Sequence, residues 1–164
     1  MNAASALLPV GTMLRLRPEG NTEYIDFMGS CGMECCQVCR LSEDYLNGGS
    51  ENSKSQELLE CLAKYSIRPV SVFLCYKNRS AGNGLVTPEL RTGRFTFAFR
   101  QMLWAKRNGI PWIACHAGVF PKPDCPEYRC FVNDMQEFAD FAADLGQSFL
   151  FETGPETLQN IEHL

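Results

Sequence analysis

Short apolar runs alternate along the chain with longer stretches whose apolar residues recur at helical spacing. Three of these helical stretches reach a glycine and then an apolar run, which is how an αβ unit ends a helix and enters a buried strand. The apolar runs predict strands over about Val10 to Leu16, Glu34 to Cys39, Val70 to Tyr76, Pro111 to His116 and Ser148 to Glu152. The chain therefore repeats a module of strand and helix.

The stretches between the predicted strands favour amphipathic helices. The first begins at about Asn21 and ends at Gly32. The second runs from Ser53 to Ser66 and opens with the spacing of a capping box, which makes Ser53 its predicted N-cap. The third ends at Gly109, and the residues that line its apolar face are Phe95, Phe99, Met102 and Leu103. The fourth covers about Pro126 to Leu145, with its apolar positions at Phe131, Val132, Met135, Phe138, Phe141, Ala142 and Leu145.

The order of these elements predicts the fold class. Strands that alternate with helices, without a hairpin signal, are typical of a parallel sheet with crossover helices, so we predict an α/β protein. Successive strand starts lie roughly 25 to 45 residues apart, which matches the units of a (β/α)8 TIM barrel of about 250 residues. We therefore expect one domain, 1–164, that forms a partial barrel of about five parallel strands and is truncated after the fifth.

An open, doubly wound sheet would also accommodate five strands. Such sheets usually carry a glycine-rich phosphate loop after the first strand when they bind nucleotides. The segment that follows the first predicted strand, Arg17 to Asn21, is not such a loop. The doubly wound sheet stays open as the alternative architecture.

Composition and charge narrow the function classes. With 45% hydrophobic and 21% charged residues the chain is in the globular range, and its net charge of −4 gives no electrostatic footprint for nucleic acid. No apolar run approaches the roughly 18 to 20 residues that cross a bilayer, and no basic segment opens the chain, so we expect a cytoplasmic protein without a membrane partner. The nine cysteines are irregularly spaced, which favours reduced thiols over a disulfide framework.

Glu152 ends the last predicted strand. Because side chains alternate along a strand, Phe149 and Phe151 share one face and belong under the helices. Ser148 and Leu150 share the opposite face with Glu152. Parallel α/β folds place their active sites at the carboxyl ends of strands, so this carboxylate is a candidate site residue. A structural interpretation, in which Glu152 pairs with a neighbouring Lys or Arg, remains the alternative.

His116 ends the preceding predicted strand, on a face with Ala114 and Trp112 and before a glycine. Small neighbours leave room for a ligand, and a histidine at such a position is either a site residue or a satisfied interior residue. Gln37, on the second predicted strand, would line the same interior, where a hydrogen-bonded structural amide is the alternative.

Two further groups are weaker candidates. A metal cluster is suggested by the cysteines Cys31, Cys35, Cys36 and Cys39. On a strand, however, Cys36 and Cys39 point to opposite faces and cannot close one tetrahedral site. Arg91 and Arg94 are three residues apart on a helix and could reach an anion together, but a solvated helix face is the interpretation we favour.

Three stretches of the chain carry a family resemblance. They are GLVTPELRTGR (Gly84 to Arg94), IPWIACHAGVFPKP (Ile110 to Pro123) and GQSFLFETGPET (Gly146 to Thr157). Together they resemble the xylose isomerase-like TIM barrels, specifically the sugar phosphate isomerase/epimerase family. The last stretch is the most specific, since it is similar to the strand-five ending in which a Glu-Thr-Gly-Gln motif supplies a metal ligand.

The resemblance implies a (β/α)8 barrel that isomerises or epimerises a sugar through a divalent metal, commonly manganese, magnesium or cobalt. It implies that Glu152 is the first metal ligand and one of two glutamates that move a proton, and that His116 is near the site. We assign His116 a catalytic and substrate-binding role and Gln37 a substrate-binding role. The chemistry agrees, because a divalent ion on both sugar oxygens stabilises an enediolate while a positioned carboxylate takes the proton.

The resemblance also implies that this chain is an incomplete site. The family's other ligands, an aspartate, a histidine and a second glutamate on later strands, have no counterpart here, and Pro155 stands where the family usually has Gln. An ion that prefers about six ligands is not held by one carboxylate and one imidazole. We therefore expect weak or no metal binding by the chain alone, with a sugar or sugar phosphate as substrate and a missing carboxyl-terminal half as partner.

Two alternatives come from other classes. A non-catalytic half barrel would self-associate or complement a partner chain, because unpaired strand edges and an apolar inner face invite association. An endonuclease of the related DNA-repair barrels would need a histidine-rich metal cluster. The chain has only His116 and His163 and is acidic, which argues against that class.

Overall fold

A computed structural model describes residues 9–47, 52–76, 91–116 and 121–152 of the chain. The strands are β1 (Gly11–Arg15), β2 (Cys35–Cys39), β3 (Arg68–Phe73), β4 (Trp112–His116) and β5 (Ser148–Glu152). The helices are α1 (Thr22–Ser30), α2 (Glu43–Leu46), α3 (Ser53–Lys64), α4 (Arg91–Arg107) and α5 (Pro126–Asp144). The short α2 was not predicted, β3 begins two residues and ends three residues before its predicted bounds, and the other elements lie close to the predicted ones.

The described strands form one parallel sheet in the order β1-β2-β3-β4-β5. Each strand pairs with the one that precedes it in the chain, so the sheet winds in a single direction. A doubly wound sheet instead reverses its strand order at a switch point. Right-handed crossovers that all step the same way put every helix on one face of the sheet, which is the arrangement of a (β/α)8 barrel. The predicted partial barrel is confirmed, and the doubly wound alternative is wrong.

The helices end where the sequence predicts, at residues that adopt a left-handed backbone. Gly109 after α4 has φ +67° and Gly146 after α5 has φ +66°, a region in which glycine has no side-chain clash. Ser66 after α3 adopts the same conformation with φ 57°. The chain thereby turns sharply from each helix into the next strand.

The N-cap of α3 is Asn52, not Ser53. The Asn52 side chain accepts a hydrogen bond from the Ser55 backbone N–H over 2.9 Å, which satisfies one of the free donors of the first turn. Ser53 is already inside the helix and exposed. The N-cap is therefore one residue earlier than predicted, and the Ser55 hydroxyl at N3 bonds the Tyr45 carbonyl and does not complete a capping box.

The core lies between the sheet and the helices. Its strand side is formed by alternate residues that are completely buried, namely Leu14, Val38, Val72, Ile113 and Cys115. On the helix side the fully buried residues include Ala98, Met102, Ala105, Phe138 and Ala142. Leu103 and Val132, both predicted to be core residues, are 39% and 40% exposed. Each lies beside the buried stripe, because the next residue on a helix is turned by about 100°.

The opposite face of the sheet corresponds to the barrel interior. One register row across it consists of Met13, Gln37, Ser71, Trp112 and Ser148, and the next row of Arg15, Cys39, Phe73, Ala114 and Leu150. His116 and Glu152 follow at the carboxyl edge. Trp112 and Leu150 are 47% and 43% exposed on this face.

Strand β5 is less covered than predicted. Phe149 packs against the helix-side core, with its ring 5.7 Å from that of Phe138. Phe151, which was expected under a helix as well, is 43% exposed. Within the described part of the chain β5 is an edge strand, so no further βα unit covers the end of its helix-facing side.

Candidate functional site

His116 and Glu152 meet at the carboxyl edge of the sheet. They end strands β4 and β5 and are register partners across the parallel pair. In-register residues of neighbouring strands project side by side, and here His116 Nε2 lies 3.8 Å from Glu152 Oε1. The structure thus brings together two of the residues that the sequence analysis selected independently.

Two residues of the β3 segment position His116. The Tyr76 hydroxyl donates a hydrogen bond to the His116 backbone carbonyl over 3.1 Å. The Phe73 ring meets the imidazole edge to face, with 5.7 Å between centroids. Burial above all raises the pKa of Tyr76, so its hydroxyl stays protonated and remains a donor.

Neither supporting residue, Phe73 or Tyr76, was predicted from the sequence. They belong to an apolar run whose residue types give no chemical signal. The available signal was geometric, since Phe73 alternates with Ser71 on the inner face and Tyr76 lies three residues beyond the end of β3, in the same apolar run.

The carboxylate of Glu152 faces an open edge. Its side chain is 51% exposed and that of His116 is 29% exposed. Among the described residues, the basic side chain nearest the Glu152 carboxylate is His116, at 3.8 Å, and not a lysine or arginine. The structural alternative of a Lys or Arg partner therefore finds no support in this part of the chain.

Gln37 lies on the predicted face but below the pair. Its side-chain amide donates to Ser71 Oγ over 2.9 Å, and the two residues are register partners. The row that contains Gln37 meets β4 at Trp112, four residues before His116. This hydrogen bond is a structural contact between β2 and β3, and a role for Gln37 in substrate binding stays a prediction.

The cysteine and arginine candidates are distributed elsewhere. Cys36 is 1% exposed in the helix-side core, whereas Cys39 is on the inner face, as alternation requires. Arg91 pairs with acidic residues of α5. The predicted solvated face is wrong for Arg94, which is 2% exposed and lies 5.6 Å from the Tyr76 ring centroid.

The pair supplies one oxygen and one nitrogen donor for a divalent ion. A carboxylate oxygen suits magnesium and manganese, whereas an imidazole nitrogen suits transition-metal ions such as manganese and cobalt better than magnesium. Two donors that each bind an ion at about 2.1 Å are at most about 4.2 Å apart, and the observed separation of 3.8 Å is within that span. The described ranges contain no group of three or more His, Cys, Asp or Glu side chains able to hold a metal, so Glu152 and His116 fit only part of a site.

Solved structures share this architecture over nearly the whole chain. A xylose isomerase domain protein from Planctomyces limnophilus has a TM-score of 0.78 and 21% identity, over 94% of this chain and 57% of its own. A D-tagatose 3-epimerase-like protein has a TM-score of 0.64 and 14% identity, over 92% and 55%. A xylose isomerase-like TIM barrel protein from Mycobacterium smegmatis, in complex with magnesium, has a TM-score of 0.65 and 13% identity, over 96% and 60%.

The fold is also found in a protein of another class. An AP endonuclease of family 2 from Brucella melitensis has a TM-score of 0.60 and 15% identity, over 88% of this chain and 55% of its own. No protein-family model matches the chain, and no curated protein matches it in sequence. The chain thus has the fold of the xylose isomerase-like TIM barrels, as the resemblance predicts, and spans little more than half the length of these proteins.

No helix in the described ranges is long and apolar enough to cross a membrane.

Proposed function

We propose that this chain provides the first βα units of a divalent-metal-dependent sugar isomerase or epimerase. The observation that carries the proposal is the contact between His116 and Glu152 at the carboxyl edge of a sheet wound in one direction. That edge is where barrels of this type assemble their active sites. The fold is shared with a xylose isomerase domain protein and a D-tagatose 3-epimerase-like protein, which supports a small sugar or sugar phosphate as substrate.

Glu152 would hold the divalent ion, manganese, magnesium or cobalt, and His116 is close enough to share it. When bound, such an ion stabilises the negative charge that develops on sugar oxygens as a proton leaves the adjacent carbon. Two donors fill about one third of an octahedral shell, so further ligands must come from outside the described residues. Residues 153–164, which include Pro155, lie outside the described residues as well.

The first proton transfer would fall to the same carboxylate. Glu152 is half exposed toward the edge of the sheet, so a substrate carbon can approach it, and a carboxylate can accept a proton from that carbon and return it to the neighbouring carbon, which isomerises the sugar. Epimerisation delivers a proton to the opposite face of the same carbon, so it would need a second glutamate from outside the described residues. The imidazole of His116, which the edge-to-face contact with Phe73 helps to orient, would form a hydrogen bond with a sugar hydroxyl.

The test is activity in a completed barrel. The chain would be joined to the carboxyl-terminal βα units of the Planctomyces limnophilus protein and assayed for manganese-dependent epimerisation of ketoses and ketose phosphates, beside the chain alone. We expect no turnover by the chain alone and measurable turnover by the fusion, lost in Glu152→Gln and kept in Glu137→Gln. A folded fusion without turnover on either substrate class would contradict the proposal.

A second candidate is a non-catalytic half barrel that self-associates or complements a partner chain. It is favoured by the exposed apolar side chains of the sheet, Trp112, Leu150 and Phe151, and by the unpaired edges of β1 and β5 within the described sheet. Analytical ultracentrifugation of the purified chain distinguishes the two states. A stable, soluble monomer would count against this candidate.

An endonuclease function is not proposed, although the AP endonuclease shares the fold. The net charge of −4 provides little attraction for phosphates, and His116 is the single histidine of the described ranges.

A further inference from the structure

Two buried cysteines lie on neighbouring chain segments where strands β2 and β3 end, on the inner face of the sheet. Cys39 is the last residue of β2 and the register partner of Phe73, so Cys75, two residues beyond Phe73, projects to the same side. The Cys75 thiol donates to the Phe73 carbonyl over 3.6 Å, and the Cys75 side chain contributes most to the raised pKa of Cys39. The Arg40 backbone N–H also donates to Cys75 Sγ over 3.0 Å, so the turn after β2 lies directly on the Cys75 sulfur.

The surrounding backbone holds both cysteines in place. Gln101 of α4 is completely buried, accepts from the Cys75 backbone N–H over 3.1 Å and donates to the Cys75 carbonyl over 2.9 Å. On the other side, Arg40 adopts φ 66° and bends the chain toward Cys75. Cys39 and Cys75 are 5% and 8% exposed. Both cysteines are therefore held in the packed interior, on the same face of the sheet.

We propose that Cys39 and Cys75 are a redox-sensitive pair that closes to an intramolecular disulfide when the protein meets a peroxide. In this step one S–S bond forms and the O–O bond of hydrogen peroxide breaks. Two thiols and one peroxide give one disulfide and two waters, which take up the two thiol protons. Both sulfurs are oxidised and both peroxide oxygens are reduced.

The pair differs from the other cysteines of the chain. Cys36 faces the helices, on the opposite side of β2 from Cys39. Cys115 is completely buried in the helix-side core. Cys31 and Cys130 are exposed and belong to segments before β2 and within α5. Oxidation of these residues would give single-site products or links between molecules.

Reactivity of the pair is expected to be slow. The Cys75 side chain, and then burial, raise the pKa of Cys39, against the opposing charges of Arg40 and Arg15. Thiolate is the species that attacks a peroxide, so a Cys39 that stays protonated at neutral pH reacts slowly. The pair therefore responds to sustained oxidation and not to brief exposure.

Closure would stiffen the part of the sheet that holds His116. Cys75 lies between Phe73 and Tyr76, and both of these contact His116. The disulfide would also close the chain segment that carries α2, α3 and β3. A cross-link over a loop of this size is expected to raise the Tm by roughly 5 to 10 °C.

The experiment is disulfide mapping on the whole folded chain. Protein at low micromolar concentration is treated with hydrogen peroxide, blocked with iodoacetamide and digested without reductant, and linked peptides are assigned by tandem mass spectrometry. We expect Cys75 linked to Cys39, with a higher Tm that dithiothreitol reverses. Cys39→Ser and Cys75→Ser should each lose the link and the Tm rise, whereas Cys61→Ser should keep both.

The wild-type map decides the matter even when a serine variant does not fold. Recovery of Cys39 and Cys75 as separately alkylated or separately oxidised residues, from protein that keeps its circular dichroism spectrum, would overturn the proposal. A link from Cys75 to any other cysteine would overturn it too. The readout does not involve sugar chemistry, so it is independent of the proposed function.

Discussion

Arg91 Nε in α4 donates to Asp134 Oδ1 in α5 over 2.8 Å, and this bond joins the helices of two successive βα units. The Asp134 side chain is only 7% exposed, while that of Arg91 is 41% exposed. Arg91 also reaches Glu137 over 2.9 Å, but the Glu137 carboxylate is 50% exposed. One guanidinium therefore holds a buried and an exposed carboxylate at once.

Replacing Asp134 by Asn is expected to destabilise the fold. The substitution removes the charge from the buried end of the bond, and we expect the free energy of unfolding to fall by about 1 to 2 kcal/mol. The matched control, Glu137→Gln, removes the exposed partner and should change it by less than about 0.5 kcal/mol. Urea denaturation measures both. Equal losses in the two variants would contradict this assignment.

Ser55 links three elements through one hydroxyl. Its Oγ accepts from Trp104 Nε1 over 2.8 Å and donates to the Tyr45 carbonyl over 2.9 Å, in a buried position. Ser55→Ala leaves the Trp104 indole N–H and the Tyr45 carbonyl unsatisfied in the interior. We therefore expect the free energy of unfolding to fall by about 2 kcal/mol and the tryptophan emission to shift. Ser53→Ala, two residues earlier and exposed, is the control. A Ser55 variant as stable as that control would show that water replaces the hydroxyl.

The pKa of Asp26 is held below its ordinary value, first by the Tyr65 hydroxyl at 2.8 Å and then by Lys64 at 3.4 Å. A depressed pKa stabilises the folded state above the unfolded pKa of about 4, and this contribution disappears as the pH falls through the folded value. Tyr65→Phe should raise the pKa of Asp26 and narrow that window at its acid end. Carbon-detected NMR titration of the carboxyl group measures the shift. Lys64→Gln should have the smaller effect, and the reverse order would refute the explanation.

Glu152→Gln separates a site role from a structural one. An exposed carboxylate 3.8 Å from a histidine contributes about 0 to 1 kcal/mol, so we expect the free energy of unfolding to change by less than about 0.5 kcal/mol. Urea denaturation of the wild type and of Glu152→Gln, side by side, tests this. Destabilisation by more than about 1 kcal/mol would identify Glu152 as a structural residue.

The sequence predicts those parts of the fold that depend on residues close together in the chain. Strand β5 is found at the predicted residues because the element before it is easy to recognise. Helix α5 is long enough to show its period, and Gly146 marks its end by adopting the left-handed conformation, so the strand must begin just after that glycine. The four-residue α2 has too few turns to show a period and was missed. Strand order depends on pairing between distant segments, so the sequence left two architectures open.

The sequence predicts which residues lie at the site, but not that their side chains are in contact. Strand ends place His116 and Glu152 at one edge, but their separation depends on the register of β4 against β5, which residue types do not encode. The burial of Arg94 was missed for a related reason. Helical spacing shows that Arg94 and Arg91 lie on the same side of α4. It does not show that Arg94 is covered, because the covering residue, Tyr76, comes from a different part of the chain.

The one-directional winding of the sheet bears on how the molecule is made. Each strand finds its hydrogen-bonding partner in the strand synthesised just before it, so every pairing is complete once a single βα unit has been added. Assembly can then proceed during translation, from the amino terminus onward. A ribosome-bound nascent chain of this protein should become protease resistant in steps of one unit.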